Sequence, residues 1–320
     1  MSASGGSRAI IAAFLANMGI AVAKFIGYLI SGSSSMLAES VHSVADSGNQ
    51  LLLLLGGRRA KRAADKEHPF GYGRERYVYA FVVSIILFSV GGLFSIYEGI
   101  EKLSHPHPLN MPWLPVAILL VAIGLESFSL RTAVKESNRV RDPGQSWVSF
   151  VRRAKAPELP VVLLEDVGAL VGLMFALIGV SLTWITGNGV FDAIGTLFIG
   201  TLLIGIAIIL GMETSSLLVG DGATEREHDA IVRAIQDTPD APRLIHMKTL
   251  YLGPDEMLVA AKLGFAGDKN LADVAGEIDL IEARVRAAVP TARVLYFEPD
   301  IYRPGQQPLQ TDAIVIKSSD

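Results

Sequence analysis

Over the first two thirds of the chain, long apolar runs alternate with short polar breaks. Residues 77–97, 108–125, 167–191 and 193–212 carry no charge, 9–30 is interrupted only by Lys24, and 33–57 is apolar apart from a few polar positions and ends in LLLLLGG. A helix crossing a bilayer needs about 20 mostly apolar residues. The pattern therefore predicts six membrane-spanning helices near 9–31, 33–57, 77–99, 110–133, 160–185 and 190–217. After about residue 220 the pattern changes. Residues 224–237 (TEREHDAIVRAIQD) have helical periodicity with Thr224 as N-cap, and 270–289 form a second amphipathic stretch. The segments 244–253 and 257–265 flank Gly253-Pro254-Asp255 as two strands around a turn, and 292–300 is a third strand. This helix–strand–strand–helix–strand order predicts a small α+β layer in the ferredoxin-like arrangement. The expected organisation is thus a six-helix transmembrane domain over 1–218, an α+β domain over 219–303 and a flexible tail over 304–320.

Charge sets an orientation. The breaks after spans 2 and 4 hold clusters of Lys and Arg (RRAKRAADKEHPFGYGRER; then Lys135, Arg139, Arg141, Arg152, Arg153 and Lys155), whereas SGSSS, EKLSHPHPLNM and TGNG hold one Lys between them. The positive-inside rule puts both basic loops in the cytoplasm and, with six spans, both ends of the chain there too. An apolar run that continues into a full span is not a cleavable signal, and the absence of an Arg- and Ser-rich leader favours a bacterial inner membrane over an organelle. Residues 219–320 hold 11 basic and 17 acidic residues, net −6, against 17 and 15, net +2, for 1–218. No stretch is basic enough for a nucleic-acid partner. The 320 residues are 50% apolar and only 19% charged, and contain no cysteine. Disulfide scaffolds, iron–sulfur clusters, Cys-ligated zinc and thiol catalysis are excluded.

Ionisable groups at membrane depth are costly and usually mark function. In span 2, Glu39, His42, Asp46 and Asn49 follow one another at spacings of three, four and three, which makes one stripe along a helix. His42 and Asp46, one turn apart, offer an imidazole nitrogen and a carboxylate to a single cation, a set that suits Zn, Mn, Fe or Co better than Ca or Mg. The alternative is a packing stripe paired with neighbouring helices. Span 5 opens with Glu165-Asp166, of which only one can face the stripe directly; two carboxylates at a helix start also complement the macrodipole. Glu126 in span 4 is a lone carboxylate, a base or proton carrier or the partner of Lys24 in a buried ion pair. Asp192, at the start of span 6, reads as a cap rather than a ligand. In the loop DKEHPFGYGR, Asp65 and His68 supply half of a second metal site or belong to a compact turn. His105, His107 and His228 read as solvated surface residues.

Together these features resemble the cation diffusion facilitators, divalent-metal/proton antiporters. The resemblance covers about 1–303. SGSSSMLAESVHSVADSGNQLLLLLG, DKEHPFGYGRERY and VVLLEDVGALVGL are most similar to the branch containing the mitochondrial zinc transporter of animals. The resemblance implies a transport site with two ligands four apart on span 2 and two four apart on span 5. His42, Asp46 and Asp166 match three of these positions. The fourth is Val162, which cannot ligate, so Glu165, Glu39, Asn49 or water would complete the set. The loop site matches at Asp65 and His68 but has Tyr72 at its third position. In the cytoplasmic cluster His246 matches one ligand and Glu298 replaces an acid, while Ala261 and Tyr296 stand where histidines are expected. The implied protein is a homodimer in the lipid bilayer, joined in part through its C-terminal domain. It has no prosthetic group and exchanges a transported dication, zinc first and Mn, Fe or Co after it, for protons, with Glu39 as a possible proton relay. Two other classes stay open: a sensor or scaffold that has lost transport, and an intramembrane metalloenzyme using Glu39 or Glu126 as base. The second lacks any HExxH or GxSxG motif.

Overall fold

The computed structural model describes residues 3–106, 108–237 and 241–301, with side chains from residue 17 onward. The expected tail over 304–320 and His107 lie outside the described residues. The chain divides into two compact units, Met1–Val219 and Gly220–Asp320.

The first unit is helical. It contains α1 (Ala3–Ser31), α2 (Ser34–Arg59), α3 (Glu75–Ile86) continuing through a π-helical segment (Leu87–Leu93) into α4 (Phe94–Ser104), α5 (Trp113–Val140), α6 (Trp147–Arg153), α7 (Glu158–Thr186) and α8 (Val190–Val219). Among the described residues, four helices are long and apolar enough to cross a membrane: Glu75–Ser104, Trp113–Val140, Glu158–Thr186 and Val190–Val219, with mean hydropathies of 2.2, 1.9, 2.3 and 2.6. Large apolar side chains cover their outer faces, among them Phe128 (73% exposed), Met212 (67%) and Ile185 (80%). An apolar exterior of this extent has no place in water, and the chain is an integral membrane protein. Helix α2, with 26 residues, is only slightly shorter than the four, but its serines and its charged stripe lower its hydropathy. The described side chains of α1 make up only the apolar stretch Asn17–Ser31.

The inner faces close on a core that includes Met36, Leu87, Leu173, Ile199 and Leu203. Small residues bring backbones together where side chains would hold them apart, as is usual between membrane helices. A Cβ on Gly179 would stand 2.8 Å from the carbonyl oxygen of Phe191, and one on Gly195 would stand 2.9 Å from that of Phe175, so α7 and α8 approach backbone to backbone. Gly32 ends α1 at φ +72°, and its amide donates to the Tyr28 carbonyl at 2.7 Å. The helix over 147–153 has no counterpart in the sequence reading. It forms because Ser146 caps it and Phe150 packs with Ala133 and Leu163.

The second unit runs α9 (Glu225–Gln236), β1 (Arg243–Gly253), β2 (Glu256–Phe265), α10 (Leu271–Ala288) and β3 (Ala292–Ile301). Thr224 and Glu227 form a reciprocal capping box at the start of α9. β2 is the central strand, antiparallel to β1 and parallel to β3, with Thr249 opposite Val259 and Val259 opposite Leu295. Ile231 and Ile235 of α9 and Ile281 and Val285 of α10 cover one face of the sheet, where Val259 and Leu263 are buried.

Candidate functional site

The polar stripe depends on how α2 begins. Ser33 caps the helix, its hydroxyl accepting from the Met36 amide at 3.3 Å. A second cap arrives from another helix. The buried carboxylate of Asp192, at the start of α8, accepts from the Ser33 hydroxyl at 2.8 Å, the Ser34 amide at 2.8 Å, the Ser34 hydroxyl at 3.3 Å and the Ser35 amide at 3.4 Å. The first amides of a helix have no partner within it, and an anion there also meets the positive end of the helix dipole. Asp192 is therefore a cap, as its position suggests, but of α2 rather than of its own helix. It fixes the rotation of the stripe below it. Lys102 of α4 adds a bond from its ammonium to the Gly32 carbonyl at 2.7 Å.

Along the stripe, both ends are paired and the middle is not. At the N-terminal end Lys24 of α1 donates to Glu39 Oε2 at 2.9 Å and to Ser43 Oγ at 2.8 Å. The expected pairing of Lys24 with Glu126 is thus corrected: Glu39 is the partner, because it faces α1 while Glu126 lies on the half-buried side of α5. At the C-terminal end Asn49 Nδ2 donates to Glu165 Oε1 of α7 at 2.7 Å. Between them, His42 Nδ1 stands 3.4 Å from Asp46 Oδ1. Both ring nitrogens of His42 and Oδ1 of Asp46 are buried without a hydrogen-bond partner, as are Glu39 Oε1 and Asn49 Oδ1. Buried polar atoms are nearly always satisfied, so several orphans in one stripe are unusual. A nitrogen and carboxylate oxygens left open to one another are the donors that a borderline divalent cation takes.

Helix α7 presents its two adjacent carboxylates to different neighbours. Glu165 reaches α2 through Asn49, whereas Asp166 accepts from Ser129 Oγ of α5 at 3.0 Å. The span 5 group in contact with the stripe is therefore Glu165, not Asp166. Val162 packs against the helical core. Among the described residues no three His, Asp or Glu side chains converge tightly enough to hold one ion as they stand.

Two glycines and a helix irregularity border the stripe and have no counterpart in the sequence reading. Glu39 Oε1 lies 2.7 Å from where a Cβ on Gly172 of α7 would stand, so a larger residue there would push the carboxylate aside. The π-helical turn over Leu87–Leu93 passes the histidine, with a Cβ on Gly91 falling 3.8 Å from His42 Nδ1. Such turns often sit at functional sites. The Gly91-Gly92 pair is the sequence signal that could have drawn attention to it.

Two of the other candidate ligands, Asp65 and Glu298, are engaged. Asp65 Oδ1 accepts from the amides of Glu67 at 3.0 Å and His68 at 2.8 Å, and its Oδ2 accepts from the Tyr72 hydroxyl at 2.5 Å. The Tyr72 hydroxyl, followed by the His68 amide, holds the Asp65 carboxyl below the usual carboxylate range, and the same bond pushes Tyr72 upward. The Arg62 guanidinium lies over the Tyr72 ring at 4.3 Å and the His68 ring lies beside it at 4.4 Å. This is a compact turn. In the second unit His246, Lys262 and Glu298 are cross-strand neighbours on β1, β2 and β3. The Lys262 ammonium binds Glu298 at 2.9 Å and Asp300 at 3.3 Å, and these bonds raise its pKa. A cation of the chain itself stands between His246 and Glu298. His105 and His228 are exposed and lie 3.8 Å from Glu101 and 3.5 Å from Asp229.

The cation efflux transmembrane domain model matches residues 10–219, which holds the whole stripe and its partners. Similar proteins include the human mitochondrial proton-coupled zinc antiporter SLC30A9, 31% identical over 245 residues, which are 76% of this chain and 43% of that one. Metal tolerance protein C4 of Arabidopsis thaliana is 29% identical over 263 residues, 81% of this chain and 57% of that one. The cation-efflux pump FieF of Cronobacter sakazakii is 27% identical over 252 residues, 79% of each. The matched region spans less than half the length of the human relative. With the family's domain filling most of its helical unit, this chain belongs to the cation efflux family, the cation diffusion facilitators.

Proposed function

We propose that this protein exports a divalent metal cation in exchange for protons, through a site on α2 and α7. The observation that carries the reading is the set of buried, unpartnered donor atoms of His42 and Asp46, midway along a helix that the family domain includes. His42 and Asp46 take the cation first. Glu165 joins them when it leaves Asn49, and Asp166 when it leaves Ser129. A neutral imidazole and ionised carboxylates are needed to hold a metal, so loading releases protons and protonation drives the metal off. The site is exposed alternately to the two sides as one group of helices rocks against the other. Zinc is the proposed cargo, supported by what the human relative's name says of that protein; the oxygen-rich donor set leaves Mn, Fe and Co as competitors.

In this reading α1 and α2 complete six spans with the four apolar helices, and the basic loops lie in the cytoplasm with both ends of the chain. The membrane is a bacterial inner membrane. The α+β unit takes part in a homodimer contact.

The deciding experiment is uptake into proteoliposomes of Zn, Mn, Fe, Co and Ni, with and without a pH gradient, using Asp46→Ala as control. Gradient-dependent flux that disappears in the variant is the expected result. Full flux in the variant would remove the site assignment. A second reading, a metal sensor or scaffold, draws on the finding that no three ligands converge among the described residues. Metal binding without flux of any of the five ions, in folded protein, would favour it.

A further inference from the structure

The Lys24 ammonium is fully buried beside the candidate site. Its bonds go to Glu39 Oε2 and to Ser43 Oγ, the residue after His42. Glu39 lies three positions before His42, which makes it a neighbour of the histidine on the helix surface. Its second oxygen, Oε1, is buried, unpartnered and seated against Gly172. A carboxylate so placed would join a cation held by the histidine unless something restrained it. Lys24 supplies the restraint and also adds a positive charge close to where a dication would sit. A carrier must release its cargo, so binding has to be favourable enough to load and weak enough to leave.

We propose that Lys24 is a positioning residue that keeps Glu39 out of the coordination sphere of the transported cation and so holds the site at an affinity that permits release. This rests on the reading above that the cation binds at His42 and Asp46. Lys24 does not touch the cargo. It acts through Glu39, while Gly172 provides the space that lets Glu39 stay folded back toward α1. Without the ammonium, Glu39 gains the freedom to turn toward the metal, and repulsion of the metal by the ammonium ends. Both changes tighten binding and slow release.

The test uses the full chain, with zinc ion as the probe: calorimetric zinc affinity in detergent and zinc flux in proteoliposomes. Lys24→Met is expected to bind zinc at least tenfold more tightly, with kcat and KM for flux both reduced. Lys24→Met/Glu39→Gln is expected to return the zinc affinity to within threefold of the parent, and Lys24→Arg to keep it there. A purely structural role would lower stability without tightening binding. Folded Lys24→Met with unchanged or weaker zinc affinity would overturn the proposal. If that variant does not fold, the double variant decides alone: a tenfold or greater loss of zinc affinity would mean that Glu39 is a ligand, and the proposal fails. His42→Ala separates the two readings. If it keeps parental zinc affinity and flux, the site assignment falls and this inference with it. If it loses zinc binding while Lys24→Met is unaltered, only the role of Lys24 is refuted.

Discussion

Three of the places where metal-ligand residue types cluster are treated differently by the structure. In α2, both ring nitrogens of His42 and Oδ1 of Asp46 are buried and left open. In the loop after α2, both oxygens of Asp65 are taken by two amides and a tyrosine hydroxyl. On the sheet, Glu298 is bound by Lys262. The comparison teaches that residue type and spacing nominate a site, but unspent lone pairs make one. A group already satisfied by the chain has to break good hydrogen bonds before it can bind an ion. A buried group with no partner carries a desolvation cost that a ligand removes.

The largest expected effect is at the open site. His42→Ala or Asp46→Ala should lower metal flux in proteoliposomes by about a hundredfold or more, beyond the 10–100-fold typical of losing a group that merely supports a ligand. Flux within a factor of two of the parent would break the comparison. Next is the device that aims the stripe. Asp192→Ala leaves the Ser33 hydroxyl and Ser34 amide without their acceptor, at about 1–3 kcal/mol for each buried group left unpaired. Thermal unfolding in detergent should show a clear loss of stability, with Asp192→Asn intermediate. Unchanged stability would mean that α2 does not depend on α8 for its start.

Smaller effects are expected at the satisfied positions. Tyr72→Phe removes the main cause of the low Asp65 pKa, so the carboxyl titration followed by NMR should move up toward the ordinary range while flux is retained. The sign follows from the direction of the shift: a carboxyl with a lowered folded pKa stabilises above its unfolded value and loses that contribution as pH falls through the lowered one. The Asp65 turn should therefore weaken only in acid, and Tyr72→Phe should make that weakening begin at a higher pH. The smallest effect is at the sheet. Lys262→Ala breaks a solvent-screened surface pair and should leave the thermal unfolding temperature almost unchanged. If that variant became stabilised by added zinc while the parent was not, Lys262 would be standing in a metal position, which would sharpen the contrast with α2.

Much of this was legible in the sequence. Apolar runs marked the membrane helices because the bilayer demands about 20 residues without charge. The periodicity of 224–237 and 270–289 and the turn at Gly253-Pro254-Asp255 marked the elements of the α+β unit. The spacing of Glu39, His42, Asp46 and Asn49 marked one helix face. Partners were not legible. The pair Glu165-Asp166 gave no sign of which carboxylate faces α2, since adjacent helical residues point about 100° apart and the choice rests on how α7 is rotated. Glu126 reads as one candidate partner of Lys24, and nothing along the chain distinguishes it from Glu39, which takes the ammonium.

The sequence by itself therefore determined which long segments are helical and which of them are apolar, though not the short helix over 147–153, and that a line of costly polar groups runs along α2. These follow from local propensity and periodicity, which neighbours in the chain decide. Tertiary structure alone decided that Asp192 caps a helix 158 residues away in sequence, that Lys24 restrains Glu39, and that Gly172 makes room for it. The physical reason is that hydrogen bonds, ion pairs and close packing act over a few ångströms in space. Which groups come that close is set by the rotation and contact of whole helices.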